Sequence, residues 1–105
     1  MVRIERQRYI LFKIMKEDEQ IIEQRDFLKN VWQSLWRYFG MKGANKIGLW
    51  LLEFEANHGI LRCSQSTKEM LITALTLIRE INGKRVIISP IKTSGTIKTI
   101  KRIKI

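Results

Sequence analysis

The sequence predicts an α+β fold with the element order β-α-β-β-α-β, and three observations carry that prediction. Short runs rich in β-branched and aromatic residues lie at 8–15, 47–56, 60–64 and 86–92, each of a strand's length. Two segments with apolar residues three and four apart separate the first run from the second and the third from the fourth, which is the period of an amphipathic helix. At 105 residues, 45% hydrophobic and 29% charged, the chain has the size and balance of one globular domain, residues 1–105.

The first strand reads RYILFKIM, with Ile10, Phe12 and Ile14 on one face and Tyr9, Leu11 and Met15 on the other. The first helix follows a charged stretch at 16–20. It sets Phe27, Leu28, Val31, Trp32, Leu35, Trp36 and Phe39 along one broad stripe. Asp26 is its N-cap or a first-turn acid favoured by the positive helix end, and Gly40 and Gly43 end it and open a loop. Trp32 and Trp36 lie within the stripe, which assigns them to the core rather than to base stacking. The second strand, IGLWLLEFEA, alternates Leu49, Leu51, Glu53 and Glu55 with Trp50, Leu52 and Phe54. Asn57-His58-Gly59 supplies turn chemistry before the third strand, so the pair reads as an antiparallel hairpin. Ser66-Thr-Lys-Glu69 has the capping-box spacing. Met70, Leu71, Ala74, Leu75, Leu77, Ile78 and Ile81 then form the buried face of a second helix, which Asn82-Gly83 stops. Pro90 cannot donate to a ladder, so the fourth strand is an edge strand or ends there.

That order is the split βαβ unit of ferredoxin-like and RRM-like folds. Right-handed crossovers give a four-stranded antiparallel sheet with both helices on one face and the first and third strands central. Strands one, two and four carry apolar residues on both faces, yet the helices cover one. The uncovered face calls for a partner or for the chain's own C-terminal segment. In that basic segment, 94–105, Ile97, Ile100 and Ile103 recur every third residue beside Lys98, Lys101 and Lys104. A short amphipathic helix or a fifth strand fits them.

The formal net charge is +10, distributed as +4 over residues 1–16, −1 over 17–83 and +7 over 84–105. Cations concentrated at both chain ends attract a polyanion through phosphate neutralisation and counterion release. No apolar run approaches the roughly 20 residues of a membrane-spanning helix, and the N-terminus does not have the pattern of a secretory signal. One cysteine, Cys63, cannot form an internal disulfide and fits a reducing, cytoplasmic setting. Catalytic equipment is sparse. His58, the lone histidine, sits in a turn, Cys63 lacks a second ligand at metal spacing, and Glu17, Asp18 and Glu19 read as a solvated acidic loop. Glu53 and Glu55 share a predicted strand face and are expected to meet solvent or a partner rather than to form a catalytic pair.

Several segments taken together resemble one family. They are RYILF at 8–12, Phe39-Gly40, Gly48 with Glu53-Phe54, GILRC at 59–63, ALTLI at 74–78 and VIISPIKTSGTI at 86–97. In this order they look like the archaeal ribonuclease P protein component 2 family over nearly the whole chain. The resemblance implies a protein subunit of an RNA enzyme that removes the 5′ leader of precursor transfer RNA. It implies that catalysis and magnesium belong to the RNA subunit, with no cofactor or metal bound by the protein and no catalytic residue in it. It implies partnership with the catalytic RNA, with precursor transfer RNA in the complex, and with ribonuclease P protein component 3 in an assembly of two copies of each. No membrane is involved.

Within that frame, the candidate RNA contacts are Arg3, Arg6, Arg8, Arg62, Lys84, Arg85, Lys98, Lys101, Arg102 and Lys104, with Ser94, Gly95 and Thr96 offering backbone amides to a phosphate or serving as an ordinary helix cap. The candidate partner surface is Tyr9, Leu11, Leu49, Leu51, Ile97, Ile100 and Ile103. The third strand has no aromatic residue, and Tyr9 and Phe12 take opposite faces, which argues against sequence-specific readout on the sheet. Two other classes fit the same topology: a stand-alone RNA-binding or dimerising domain, and a small enzyme of the acylphosphatase kind. The latter needs a phosphate loop and an active asparagine, a constellation this sequence does not offer.

Overall fold

Alternation in the first strand decides the architecture. A computed structural model describes residues 6–17, 21–45 and 48–101, and for 41–45 the backbone alone. Strand β1, Gln7–Lys16, runs through the middle of a sheet whose order is β2-β3-β1-β5-β4, with β2 at Trp50–Phe54, β3 at His58–Ser64, β4 at Glu80–Ile81 and β5 at Lys84–Ser94. All pairings are antiparallel. The sheet is the expected ferredoxin-like one, with β1 and β3 central, but it has five strands rather than four. The fifth is the two-residue β4.

Helices α1, Gln24–Asn45, and α2, Lys68–Leu77, pack on one face. Ile10, Phe12 and Ile14 of β1 point to them, as do Leu61 and Cys63 of β3 and Val86 and Ile88 of β5. Phe27, Val31 and Leu35 of α1 and Leu71, Ala74 and Leu75 of α2 close the core. Phe27 stacks on Phe12 at a 4.9 Å centroid distance and tilts against Phe54 at 5.1 Å. The Ser34 hydroxyl donates to the Ala74 carbonyl at 2.8 Å, joining the helices by a buried bond.

Several local expectations are corrected. Gly40, at φ +79°, breaks α1 where expected, but the chain resumes helical geometry, so Gly43 lies in a helical segment and not in a loop. Trp36 is 46% exposed. The stripe wraps wider than the core beneath it, leaving Trp36 over its rim beside the half-buried Trp32. The β2–β3 turn falls at 55–57, so His58 and Gly59 already pair with β1. A 3-10 turn, Gln65–Thr67, precedes α2, whose N-cap position is Thr67 rather than Ser66 and carries no side-chain capping bond, so the capping box is not formed.

Asn82-Gly83 does not stop α2, which ends at Ile78 in extended geometry. The two residues have φ values of 53° and 79° and sit at the tip of the β4–β5 hairpin, where two successive positive φ values match the right-handed twist of the flanking strands. The Asn82 side-chain amide also donates to the Asp26 carboxylate at 2.9 Å, so Asp26 is a first-turn acid that ties the hairpin to α1. Asn82→Ala loses that bond and places a Cβ residue less tolerant of positive φ at the tip. A loss of about 1–2 kcal/mol is expected, read as a lower urea midpoint at unchanged m-value.

Bulges shape β2 and β5. Between Leu11 and Phe12 the partners in β5 step from Lys92 to Pro90, leaving Ile91 as the extra residue. β4 pairs only with Lys84 and Arg85, so Pro90 sits at an irregularity on a stretch of β5 with no strand on its outer side, where its missing donor is tolerated, and the strand continues to Ser94. Between Leu51 and Glu53 the partners in β3 step from Leu61 to Ile60, so Leu52 is bulged out.

Candidate nucleic-acid interface

The sheet face turned away from α1 and α2 begins as a row across four strands. Trp50 pairs with Arg62, Arg62 with Tyr9, and Tyr9 with Ser94. The next row is Glu53, Ile60, Leu11 and Lys92. Because period-2 alternation puts opposed residues on one side of a sheet, both rows lie on this open face. The C-terminal segment folds over them: α3, Ile97–Lys101, buries Ile100 to 1% exposure and Leu11 to 3%, in a second small core with Ile60, Tyr9 and Ile97. Of the two alternatives for this segment, the helix holds over Ile97–Lys101, and its apolar residues Ile97 and Ile100 pack over the sheet.

This arrangement revises the partner surface. Leu11 and Ile100 are buried against each other within the chain, and Tyr9 and Ile97 are half-buried around them. Leu49 and Leu51 lie on the opposite side, packed on the helix-facing core, because the hairpin register turns that row inward. Ile103 lies outside the described residues. The exposed apolar groups of the open face include Trp50, at 59%, Leu52 beside the α3 cleft and, beyond α3, Met15 and Ile87, paired across β1 and β5. The bulge at Leu52 also separates Glu53 from the Leu51 row. Glu53 faces the open side, while Glu55 lies past the strand end with its amide donating to the His58 carbonyl at 2.8 Å.

The candidate cations fall into two groups. Arg6, Arg8, Arg62, Lys98 and Lys101 gather at the end of the sheet where β1 starts and β5 finishes, with Lys92 exposed nearby. Arg8 donates from Nη1 to the Gln7 carbonyl at 3.2 Å, and that nitrogen lies 2.7 Å from where a Cβ on Gly95 would sit. Lys84 and Arg85 lie at the hairpin tip, the length of β5 away, roughly 30 Å for an extended strand. Arg85 is 3.8 Å from the Glu17 carboxylate. Acidic neighbours Glu17 and Glu80 dilute the tip, so the α3 end is the stronger positive site. Arg3, Arg102 and Lys104 lie outside the described residues.

Ser94, Gly95 and Thr96 have a local occupation. The Thr96 amide donates to the Ser94 hydroxyl at 3.2 Å, and the Thr96 and Thr99 hydroxyls lie 2.8 Å apart. The tripeptide thus turns the chain from β5 into α3, with the Ser94 and Thr96 hydroxyls both engaged locally.

Two residues of this face were not selected from the sequence: Trp50 and Glu53. The Arg62 guanidinium carbon is 5.8 Å from the Trp50 ring centroid, in cation–π range. Between α3 and the β2–β3 edge lies a cleft of about 390 Å³ lined by Tyr9, Leu52, Glu53, Ile60, Arg62, Ile97 and Lys101. Among the described residues no three His, Cys, Asp or Glu side chains gather to hold a metal ion, and no helix is long and apolar enough to cross a membrane.

Comparison with known proteins follows the same lines. The sequence profile of the Rpp14/Pop5 family matches residues 8–105. "Ribonuclease P protein component 2" of Pyrococcus horikoshii is 38% identical over 105 residues, covering 93% of this chain and 82% of that protein. The protein of the same name from Methanocaldococcus jannaschii is 33% identical over 97 residues, covering 92% and 71%. A chain in the cryo-EM structure of yeast ribonuclease MRP superposes with a TM-score of 0.75 at 13% identity, covering 91% of this chain and 79% of that one, a likeness of fold.

Proposed function

The chain belongs to the Rpp14/Pop5 family of ribonuclease P protein subunits, and from that premise we propose that it acts as component 2 of a ribonuclease P that removes the 5′ leader of precursor transfer RNA. The observation that carries this reading is the match to component 2 proteins across the full set of elements. The cation-rich end of the open face supports it, since backbone phosphates are what such a surface attracts. In this reading the reaction and its magnesium ions belong to the RNA subunit, and the protein contributes positive charge and a folded platform in the cytoplasm. Ribonuclease P protein component 3 is the proposed protein partner, in an assembly with two copies of each. With Leu11 and Ile100 buried inside the chain, the protein contacts would fall on other exposed groups.

Reconstitution tests the assignment. Leader removal from precursor transfer RNA is measured with the catalytic RNA and the other protein subunits, with and without this chain. A clear gain in rate is expected, and an unchanged rate would refute the assignment. The electrostatic part has its own check. Lys98 and Lys101 are both exposed on α3, so the double variant Lys98→Ala/Lys101→Ala should weaken RNA binding whatever the sequence. The slope of log K against log salt should fall by about 0.7 per lost contact on single strands, or about 1.4 in total.

A further inference from the structure

We propose that the cleft between α3 and the β2–β3 edge binds one unpaired nucleotide whose base carries an exocyclic amino group, the neighbouring base stacking on Trp50. This deepens the subunit reading and rests on it. Four features of the cleft converge. Trp50 keeps 59% of its surface exposed on an outer strand, whereas the other aromatic on this face, Tyr9, is half-buried beside α3. An exposed indole next to cations is a platform that stacks any base. Arg62 holds its guanidinium near that ring, and its Nε is buried without a hydrogen-bond partner. A buried donor left open is uncommon in a finished structure, and it marks Arg62 as a side chain whose hydrogen-bonding capacity the protein itself does not fill.

Lys101 adds a second positive charge to the cleft wall. Glu53 decides the ligand class. A carboxylate in the wall opposes a bare phosphate or a run of acidic side chains. It accepts hydrogen bonds from a base amino group, as acidic side chains do from cytosine N4 in duplex grooves. Adenine, cytosine and guanine carry such a group and uracil does not. The bases of an A-form duplex are stacked inside and cannot enter a cleft walled on one side by α3, so the ligand is single-stranded. Arg62 and Lys101 take the phosphate, Glu53 reads the base edge, and Trp50 carries the next base.

The test is a fluorescence-anisotropy titration of the full chain at fixed salt with labelled oligo(A), oligo(U), an RNA duplex and oligo-glutamate. Trp50→Ala removes an exposed ring, and circular dichroism checks that its fold is kept. Its oligo(A) affinity should drop about tenfold, within the range measured for loss of one stacked base, with duplex affinity changed less than twofold. The intact chain should prefer oligo(A) over oligo(U), and Glu53→Gln should narrow that preference. Unchanged oligo(A) binding by Trp50→Ala, equal losses on single strand and duplex, equal affinity for the two homopolymers, or Trp50-dependent binding of oligo-glutamate as tight as that of oligo(A) would each overturn the proposal. Leader removal separates this failure from that of the subunit assignment. A chain that stimulates cleavage whether or not Trp50 is present, and binds oligo(A) equally in both forms, loses the cleft and keeps the assignment. A chain that binds oligo(A) through Trp50 but never affects cleavage does the reverse.

Discussion

Phe27→Ala is expected to lower the unfolding free energy by about 3–5 kcal/mol, the cost of truncating a large aromatic in a packed core. Phe27 is fully buried and touches two strands at once. It stacks nearly parallel on Phe12 of the central strand, at an interplanar angle of 10°, and tilts at 38° against Phe54 of the outer strand. Removing it leaves a void between helix and sheet and breaks both ring pairs, each carrying roughly 0.5–1.5 kcal/mol beyond the area it buries. Domains of this size hold about 5–15 kcal/mol in all, so the variant should populate unfolded chain under mild conditions. Urea denaturation followed by circular dichroism reads the effect. The midpoint should fall with the m-value unchanged, and a shift worth less than about 1 kcal/mol would contradict the packing described for the core.

Gly59→Ala is expected to be the most damaging single methyl group. An added Cβ would lie 2.6 Å from the Glu53 carbonyl oxygen and 2.6 Å from the Phe12 ring. Phe12 has no room to retreat, because Phe27 is stacked on it. The outer strand must give way at Glu53, beside the bulge at Leu52. Overpacking of this kind costs about 1–3 kcal/mol. The displaced strand carries Trp50 and Glu53, so the same substitution should also reduce oligo(A) affinity, although no ligand-facing atom is removed. Thermal unfolding and anisotropy on one preparation check both halves. Normal stability in Gly59→Ala would show that β2 does not lie against β3 as described.

Much of this was legible in the residues. Alternation in β1, the stripe from Phe27 to Phe39 and the hairpin between Phe54 and Ile60 are local patterns, and they fix the element order without tertiary knowledge. For the C-terminal segment the same patterns left helix and strand both open, and it is the packing of Ile97 and Ile100 over Leu11 and Ile60 that settles α3 as a helix.

The errors arose where a local signal had two meanings. Asn82-Gly83 is chemistry for a helix end and for a tight hairpin alike, and what separates the two is Ile81, buried in the core as part of a strand. Leu49 and Leu51 alternate in the same way whichever face they take, and only pairing with Leu61 sends them inward. A one-residue bulge carries almost no sequence signature, so Glu53 was read in one row with Leu49 and Leu51, although the bulge at Leu52 turns it to the opposite face. Trp50 escaped notice as a site residue because exposure depends on what the rest of the fold leaves uncovered. Trp36 was assigned to the core for the same reason.

The bulges at Ile91 and Leu52 have a consequence for how this molecule can grow. A flat outer strand with a free row of amides and carbonyls invites another chain to zip on, the usual beginning of fibrillar aggregation. Here one border is kinked at Pro90, which brings no amide, and has charged Lys92 just beyond, while the other is interrupted after five residues. Among the described residues neither rim offers a straight template, which disfavours extension of the sheet from copy to copy and leaves side-chain surfaces as the favoured contacts.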